Sequence, residues 1–288
     1  MAHVIDCRSL SAKIRKKIND EIKGIGFRPG LAVVIVGENP ASITYVNNKK
    51  KACDEVGIYS EIHRLSAEAS TQDVIEVIKG LNTNNDIDAI LVQLPLPSHI
   101  DKDVILRAID PDKDVDALSD TNIGKLIQGK EIIAPCTPSG IIRILEEQGI
   151  DIDGKRCVIV GRSEIVGKPM ACLMLEKNAT VTICHSHTNN IEEICRQADI
   201  LIVAIGKERY ITEDMVSDGA VVIDVGINRT QDGRLVGDVD FENVLRKASY
   251  ITPVPGGVGV MTVTSLLINT VKLARRMRCV NAFPDHKR

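Results

Sequence analysis

Strand-length runs of hydrophobic residues alternate along most of the chain with segments in which hydrophobic residues recur at helical spacing. In the first half, residues 31–36 and 89–93 are predicted strands and residues 42–56 a predicted helix. This alternation is typical of α/β proteins, in which helices cover a parallel sheet. Ligands of open α/β sheets bind beyond the carboxyl ends of strands, so the loops after residues 36 and 93 are candidate site loops.

A second series follows the proline- and glycine-containing residues 135–140 and predicts a Rossmann-like domain. It consists of a helix to about residue 147 and strands at residues 157–160, 180–184, 200–204 and 220–224. Asp232 and Gly233 predict a hairpin. A last hydrophobic helix is predicted from residue 261 to about residue 275.

The length and the charge balance bound the class of protein. A chain of 288 residues is long enough for two domains. Its 36 basic and 39 acidic residues leave a formal net charge of -3, so the chain lacks the basic excess that nucleic-acid binding requires. It also holds only 3 Phe, 4 Tyr and no Trp on which bases could stack. We therefore expect no nucleic-acid partner.

The hydrophobic runs and the cysteines indicate the cellular compartment of the protein. Asp6 and Arg8 interrupt the region where a secretory signal needs an apolar run. Runs such as residues 200–205 are far shorter than the roughly 20 residues that span a bilayer. The eight cysteines form no Cys-x-x-Cys pair, and a chain of this length does not need disulfides. We expect a cytoplasmic protein without a membrane partner.

The loop after residues 157–160 carries Gly161 and Gly167 and leads into a predicted helix. A strand, a glycine-containing loop and a helix N-terminus together form the usual binding site for a dinucleotide's phosphates. The dinucleotide fingerprint has three glycines where this loop has two, however. The loop is therefore either a phosphate site or an ordinary turn between a strand and a helix.

The next predicted strand, residues 180–184, indicates which dinucleotide would bind. An NAD-binding domain usually ends this strand with a carboxylate that holds the ribose 2′-hydroxyl, but here His185-Ser186-His187 follows. Arg162, Ser186 and His187 can receive a 2′-phosphate instead, which favours NADP. Glu164 argues for NAD, and Ser186 and His187 could alternatively cap a helix that starts near residue 189.

Tyr45 and Lys49 lie four residues apart on the predicted helix 42–56 and therefore share one face. Both side chains can reach one substrate group, where a lysine can act as a general base. The alternative is a solvated basic face, since Lys50 and Lys51 follow directly. Short-chain dehydrogenases carry a Tyr-x-x-x-Lys pair after the cofactor loop, whereas here the pair precedes that loop.

Two clusters of potential metal ligands lack the required spacing. The acidic residues 110–116 have neither the glycine at the sixth position nor the glutamate at the twelfth of a calcium loop. Residues 184–187 lack a second pair of zinc ligands. We expect no metal site, and Asp116 can instead accept hydrogen bonds from an N–H-rich heterocycle. Cys136 is expected to be structural rather than nucleophilic.

Six segments in this order resemble the bifunctional methylenetetrahydrofolate dehydrogenase/methenyltetrahydrofolate cyclohydrolase family of the FolD type, and the resemblance spans the chain. The segments are Pro40-Ala41-Ser42-x-x-Tyr45-Val46-x-x-Lys49, Val92-Gln93-Leu94-Pro95-Leu96-Pro97, Pro111-x-Lys113-Asp114-Val115-Asp116, Pro135-Cys136-Thr137-Pro138-x-Gly140, Gly161-Arg162-Ser163-x-x-Val166-Gly167-x-Pro169 and Pro253-Val254-Pro255-Gly256-Gly257-Val258-Gly259-x-Met261-Thr262. The chain departs from the family pattern at Ala117, where glycine is usual, and at Val260, where proline is usual.

The resemblance implies a folate-binding α/β domain and a Rossmann-like NADP-binding domain with a parallel sheet, separated by a cleft. Residues 1–138 and 262–288 would form the first domain, to which the last helix returns, and residues 139–261 the second. Members of the family oxidise 5,10-methylenetetrahydrofolate with NADP and hydrolyse the 5,10-methenyl product to 10-formyltetrahydrofolate. They are usually homodimers joined through the Rossmann domains.

The resemblance also implies a role for individual residues. Lys49 is the principal catalytic residue, Tyr45 positions and stacks on the folate, and Gln93 hydrogen-bonds to Lys49. Asp116 holds the pterin ring, and the resemblance adds Pro255, Gly256 and Gly257 to the substrate site. The residues expected to bind the cofactor are Gly161, Arg162, Ser163, Val166, Gly167, Ser186, His187 and Ile227.

Two other functions remain open from the sequence. The first is a family member that keeps only the dehydrogenase activity, with NAD as an alternative acceptor to which Glu164 would point. The second is a protein that senses a nucleotide without turnover, against which the complete set of Tyr45, Lys49, Gln93 and Asp116 argues.

Overall fold

The computed structural model describes residues 1–282, with side chains for residues 1–278. The strands and helices, in chain order, are β1 (His3–Val4), α1 (Cys7–Gly24), β2 (Gly30–Val36), α2 (Pro40–Val56), β3 (Tyr59–Leu65), α3 (Thr71–Thr83), β4 (Ala89–Val92), α4 (Lys102–Ala108), α5 (Asp120–Ile127), α6 (Cys136–Glu147), β5 (Arg156–Val160), α7 (Gly167–Glu176), β6 (Thr180–Cys184), α8 (Ile191–Cys195), β7 (Ile200–Val203), β8 (Val221–Asp224), β9 (Asn228–Arg229), β10 (Leu235–Val236), α9 (Phe241–Val244), β11 (Tyr250–Ile251) and α10 (Val258–Ala282).

The chain folds into two compact units. The first consists of Met1–Ala12 and Thr137–Thr262, and the second of Lys13–Cys136 and Val263–Arg288, whose last six residues lie outside the described part. The prediction groups residues 1–12 with the residues that follow them. In the structure these residues belong to the first unit, because β1 pairs in parallel with β11 through His3 and Tyr250.

The first unit is built on a six-stranded sheet with the order β1-β11-β8-β7-β5-β6. All of its strand pairs are parallel, which confirms the predicted Rossmann-like series. β7 and β8 are buried along their whole length, as expected where helices cover both faces of a parallel sheet. The chain leaves β5 toward β6 and then returns across β5 to β7, so the carboxyl ends of β5 and β7 flank a topological switch point.

The hairpin predicted at Asp232 and Gly233 is present. β9 and β10 pair antiparallel around it, and Gly233 has a φ of 83°. That left-handed conformation favours glycine, since it lacks a Cβ.

The second unit contains a three-stranded parallel sheet with the order β3-β2-β4. Every residue of β2 and β4 is buried, which confirms the strands predicted from the hydrophobic runs. The predicted helix 42–56 begins two residues earlier, at Pro40, because the Asn39 side chain accepts hydrogen bonds from the N–H groups of Ala41 and Ser42. It ends at Gly57, whose φ is 88°.

The last helix, α10, is longer than predicted, and its residues from Val263 onward belong to the second unit. Within that unit, Nε and Nη2 of Arg278 donate to Oδ1 and Oδ2 of the buried Asp88, both at 2.8 Å. A bidentate pair of this kind fixes the helix in direction as well as in position. At its start, the Val260 N–H donates to the Gly257 carbonyl at 3.0 Å, a bond that the family's usual proline cannot make.

No helix within residues 1–282 combines the length and the apolar character needed to cross a membrane.

Candidate active site and cofactor-binding edge

The second unit brings two of the predicted catalytic residues into contact. Lys49 lies in the third turn of α2, and Gln93 follows the last residue of β4. The Lys49 Nζ donates a hydrogen bond to the Gln93 Oε1 at 3.0 Å. The bond that the resemblance implies between these side chains is therefore present, and it joins residues 44 positions apart in the sequence.

The Gln93 amide is held in one orientation. Its Nε2 donates to the main-chain oxygen of Leu94 at 2.6 Å, so its Oε1 faces Lys49. An amide oxygen accepts hydrogen bonds from either the charged or the neutral form of an amine. Lys49 is thus positioned by a neutral group.

The neighbouring Lys50 has a different environment, which bears on whether this helix presents an ordinary solvated basic face. The Lys50 Nζ donates to Asp54 Oδ1 at 3.1 Å and to the main-chain oxygen of Ser60 at 3.0 Å. Lys51 is exposed. Lys49 and Lys50 are both half-buried, but Lys49 contacts a neutral amide instead of a carboxylate, an arrangement suited to proton transfer rather than to solubility.

Tyr45 lies one turn before Lys49 on the same face of α2 and is half-buried. Burial raises the pKa of its phenol above the ordinary value of 10.0, so the hydroxyl keeps its proton at neutral pH and can donate. Ser42, to which the sequence assigns no role, lies a further turn back. Its hydroxyl is buried and has no hydrogen-bond partner among the described residues, which makes it a candidate to contact a bound molecule.

Asp116 and Lys49 both act electrostatically on the buried Cys136. Burial raises the pKa of the Cys136 thiol well above 9.0, and the hydrogen-bonded Asp116 carboxylate raises it further, while the Lys49 ammonium lowers it. The thiol is therefore neutral at physiological pH, and it donates to the Val115 carbonyl at 3.6 Å. This agrees with the predicted structural role of Cys136.

Asn269, which the sequence motifs do not include, holds this part of the unit in place. The Asn269 Nδ2 donates to the carbonyls of Val115 and Ala134 at 3.0 and 2.9 Å and contacts the Cys136 Sγ at 3.5 Å. Asn269 is 2% exposed and lies more than 130 residues after its partners. A buried asparagine on a hydrophobic helix was the available signal, since such a side chain requires polar partners.

Ala117, which directly follows Asp116, has a φ of 54°. This is the position where the family usually has glycine, and the positive φ gives the physical reason for that preference. Ala117 is 1% exposed. The left-handed conformation of a residue with a Cβ costs roughly 1–2 kcal/mol.

In the first unit, the loop from Gly161 to Gly167 packs tightly against its surroundings. Gly161 has a φ of 130°, and a Cβ at this position would lie 2.2 Å from the Ala204 carbonyl oxygen. A Cβ at Gly167 would lie 2.2 Å from the Gly161 carbonyl oxygen. The Ser163 Oγ accepts from the N–H groups of Val166 and Gly167. The two glycines are thus required by the loop itself.

Arg162 and Ser186 follow adjacent strands at the same edge of the sheet. β5 and β6 are parallel and in register through Val160 and Cys184, and the Gly161 N–H donates to the Cys184 carbonyl at 2.8 Å. Arg162, Ser186 and His187 are all exposed. The arrangement presents a guanidinium, a hydroxyl and an imidazole where an anion could bind.

The alternative role for Ser186 and His187, as caps of the next helix, is not observed. α8 starts at Ile191 and its N-cap is Asn190, whose side chain makes no capping bond. Glu164, the residue that argues for NAD, lies 3.8 Å from Lys168 Nζ as an exposed ion pair, and such a pair partly offsets its charge.

Ile227 follows β8 and is 45% exposed. The residues on either side of it, Gly226 and Asn228, contact two buried carboxylates, Asp224 and Asp238. The roles of both carboxylates were missed from the sequence, where Asp224 is the last residue of a predicted strand and Asp238 is an acidic residue after the predicted hairpin. Their burial, at 3% and 0% exposed, distinguishes them.

The loop with Pro255, Gly256 and Gly257 belongs to the first unit, whereas Lys49, Tyr45, Gln93 and Asp116 belong to the second. Gly256 has a φ of 100°, and a Cβ there would lie 3.0 Å from Arg8 Nε. A Cβ at Gly257 would lie 2.2 Å from the Pro253 carbonyl oxygen.

Among the described residues, no three His, Cys, Asp or Glu side chains are grouped as metal ligands would be. The seven cysteines with described side chains are free thiols, and the side chain of Cys279 lies outside the described part.

Two family models match the chain. Residues 5–116 match the tetrahydrofolate dehydrogenase/cyclohydrolase catalytic domain, and residues 135–278 match the NAD(P)-binding domain of the same family.

Similar proteins match nearly the whole chain. The bifunctional protein FolD of Moorella thermoacetica is 54% identical over 278 residues, which cover 96% of this chain and 99% of that protein. The crystal structure of the bifunctional FolD enzyme of Campylobacter jejuni has a TM-score of 0.94 and 47% identity, covering 96% of this chain and all of that one. The Trypanosoma brucei FolD structure, described as a complex with NADP and an inhibitor, has a TM-score of 0.92 and 39% identity, covering 96% and 98%. With both domain models matched and identity above 50% over almost its full length, the chain belongs to the tetrahydrofolate dehydrogenase/cyclohydrolase family.

Proposed function

We propose that this protein performs both reactions of the family and that Lys49 is the central catalytic residue of both. It oxidises 5,10-methylenetetrahydrofolate to the 5,10-methenyl form with NADP and hydrolyses that form to 10-formyltetrahydrofolate, within one-carbon metabolism. The observation that carries the assignment to Lys49 is the hydrogen bond from its Nζ to Gln93 Oε1, on the helix face that also carries Tyr45.

The hydrolytic step requires a group that accepts a proton. Water adds to the cationic methenyl carbon and releases one proton; the bond from that carbon to N5 then breaks, the hydroxyl proton moves to N5, and the formyl group stays on N10. Lys49 in its neutral form can accept the released proton at Nζ while Gln93 keeps the amine in position. Tyr45, whose pKa is raised by burial, stays neutral and offers its ring and hydroxyl to the folate.

Substrate binding is assigned to Asp116 and to the loop of Pro255, Gly256 and Gly257. Asp116 can accept two N–H donors of a pterin ring through its carboxylate oxygens, and its main chain is held by the bonds that Asn269 makes to Val115 and Ala134. We also assign Pro255, Gly256 and Gly257 to the folate site. The second unit is therefore the folate-binding catalytic domain, and the first is the NADP-binding domain.

The residues at the carboxyl edge of the first unit fit NADP. The edge has exposed Arg162, Ser186 and His187 and no carboxylate directly after β6, so a 2′-phosphate would meet donors and positive charge. Gly161, Ser163, Val166, Gly167 and Ile227 complete the proposed cofactor site. When bound, NADP supplies the acceptor for the hydride.

The test is an absorbance time course of the purified protein with 5,10-methylenetetrahydrofolate and either NADP or NAD. In parallel, the decay of added 5,10-methenyltetrahydrofolate is followed. We expect NADP reduction together with accelerated decay. A preference for NAD would contradict the assignment of Arg162 and Ser186, and decay at the buffer rate would indicate a dehydrogenase alone. NADP binding without turnover would indicate a sensor.

Lys49→Met tests the catalytic assignment. We expect it to abolish the hydrolysis of the methenyl form while NADP still binds with wild-type affinity. Lys50→Met is the matched control, because Lys50 contacts Asp54 and Ser60, and it should hydrolyse normally. If Lys49→Met still hydrolyses the methenyl form, Lys49 is not the catalytic residue of that step.

We also propose that the protein is a homodimer joined through the β6 edge of the first unit. β6 is the terminal strand of its sheet, and Ile183 on this strand and Leu175 on α7 are 37% and 65% exposed. An exposed apolar edge strand is a ready pairing surface. Light scattering should give twice the chain mass of 31.4 kDa for the wild type, and a monomer for Ile183→Lys.

We place the protein in the cytoplasm because its described cysteines are free thiols and reduced thiols are typical of that compartment. We propose no membrane partner, and no nucleic-acid partner because a formal net charge of -3 leaves no basic excess. Its formyl product would serve purine biosynthesis.

A further inference from the structure

Asp238 is a buried carboxylate that occupies a ring of N–H donors in the loop after β7. Its Oδ2 accepts from the main-chain N–H groups of Ile205 and Gly206 at 2.7 and 2.9 Å. Its Oδ1 accepts from the N–H of Lys207 at 2.8 Å and from the Asn228 Nδ2 at 2.8 Å. The side chain is 0% exposed, so these four donors take the place of water around its charge.

Consecutive N–H groups at the carboxyl end of a strand form a concave site that binds anions. Here the chain's own carboxylate fills it, so the N–H groups of residues 205–207 are not available to a cofactor phosphate. At the switch point between β5 and β7, the other loop, residues 161–167, is left as the phosphate-binding candidate. The loop after β7 is instead fixed in shape from within.

A second buried carboxylate, Asp224, sets the position of Asp238. Its Oδ1 accepts from the N–H groups of Gly226 and Asp238 at 2.9 and 3.0 Å, and its Oδ2 accepts from that of Val239 at 2.9 Å. The Asp224 N–H in turn donates to Thr252 Oγ1 at 2.8 Å. The main chain carrying Asp238 is therefore tied to the end of β8.

The packing around the two carboxylates leaves no room for a side chain at Gly226 or Gly237. A Cβ at Gly237 would lie 1.8 Å from Asp224 Oδ2, and a Cβ at Gly226 would lie 2.2 Å from Asp238 Cγ. These contacts fix both neighbours of Ile227, since Gly226 is bonded to Asp224 and Asn228 to Asp238. The exposed Ile227 is thus presented on a rigid segment rather than on a free loop.

We propose that Asp238 is a positioning residue for the dinucleotide, which acts by holding the loop 205–207 and the Ile227–Asn228 segment in the conformation that binds it. This inference rests on the proposed cofactor site. It predicts that loss of the Asp238 carboxylate weakens NADP binding and leaves the cofactor-independent hydrolysis of the methenyl form unchanged. A general structural role would reduce both.

The experiment compares Asp238→Asn and Asn228→Ala with the full-length wild type. Asparagine at 238 places an amide N–H₂ among N–H donors, so we expect NADP to bind about tenfold or more weakly. Asn228→Ala removes one of the four donors, and a loss of about threefold or more is expected. Asn243→Ala is the matched control, because its Nδ2 donates to Asp240 at 2.6 Å, outside the loops that Asp238 holds, and it should bind NADP normally.

NADP dissociation constants are measured by titration, KM for NADP and for methylenetetrahydrofolate by initial rates, and hydrolysis by methenyl decay without NADP. The proposal is supported if the KM for NADP rises while the folate KM and the hydrolysis rate stay at wild-type values. It is overturned if both variants bind NADP as the wild type does, or if hydrolysis falls in proportion. If Asp238→Asn does not fold, Asn228→Ala is judged alone, by its affinity for NADP and by its rate of methenyl hydrolysis. A wild-type protein that does not bind NADP would refute the proposed function itself.

Discussion

Replacing Gln93 with glutamate turns the neutral partner of Lys49 into a charged one and tests whether Lys49 acts as a base. The Gln93 Oε1 lies 3.0 Å from the Lys49 Nζ. At about that separation, unit charges attract by roughly 1.4 kcal/mol in water and by several times more in a lower dielectric. Both side chains are half-buried, so we expect a gain of roughly 1.4 kcal/mol for the protonated ammonium.

This gain corresponds to about one pH unit. A base must lose its proton before it can accept another, so the rate of methenyl hydrolysis should rise with pH. In Gln93→Glu the rising limb of the pH profile should move to higher pH by about one unit or more. At a fixed pH below that limb, hydrolysis should be about tenfold slower.

The assay is methenyl decay, corrected for the buffer reaction at each pH, for the wild type, Gln93→Glu and Gln93→Met. Methionine has a similar volume and no charge, so it should lower the rate without moving the limb. The reasoning is refuted if Gln93→Glu keeps the wild-type profile, or if Gln93→Met shifts the profile equally.

Three further predictions concern stability. Burial raises the pKa of Asp224 to about 7 from 3.8. Between these two values the folded chain holds a proton that the unfolded chain has released. The free energy of unfolding measured with urea should therefore fall as the pH rises from about 4 to about 7, by at most about 1.4 kcal/mol per pH unit. Asp224→Asn should remove this pH dependence. Arg278→Ala leaves the buried Asp88 carboxylate without its bidentate partner and should cost about 2–4 kcal/mol, whereas an unchanged urea midpoint would show that α10 is held by other contacts. Ala117→Gly relieves roughly 1–2 kcal/mol of backbone strain. It also loses a buried methyl group worth about 0.8 kcal/mol and costs about 0.5–1 kcal/mol through the greater entropy of the unfolded chain. The free energy of unfolding from thermal denaturation should therefore change by no more than about 1 kcal/mol, and a larger change in either direction would contradict this balance.

The sequence by itself determined the local structure that carries the site. α2 is specified by its own residues: the Asn39 cap, Pro40 in the first turn and Gly57 at the end. The helical spacing of Tyr45 and Lys49 is sufficient to place them on one face. The hydrophobic runs of β2, β5, β7 and β8 are buried on both sides, and such strands can be predicted from short sequence windows.

Only the tertiary structure decided which distant groups meet. The contact of Lys49 with Gln93, the bonds of Asn269 to Val115 and Ala134, and the filling of the loop after β7 by Asp238 each join residues from 31 to 154 positions apart. None of these pairings leaves a periodic trace in the sequence, because a polar side chain can satisfy its hydrogen bonds with many partners and only the packed fold selects among them. The same holds for residues 1–12, since β1 has just two residues and its pairing with β11 is a property of the assembled sheet.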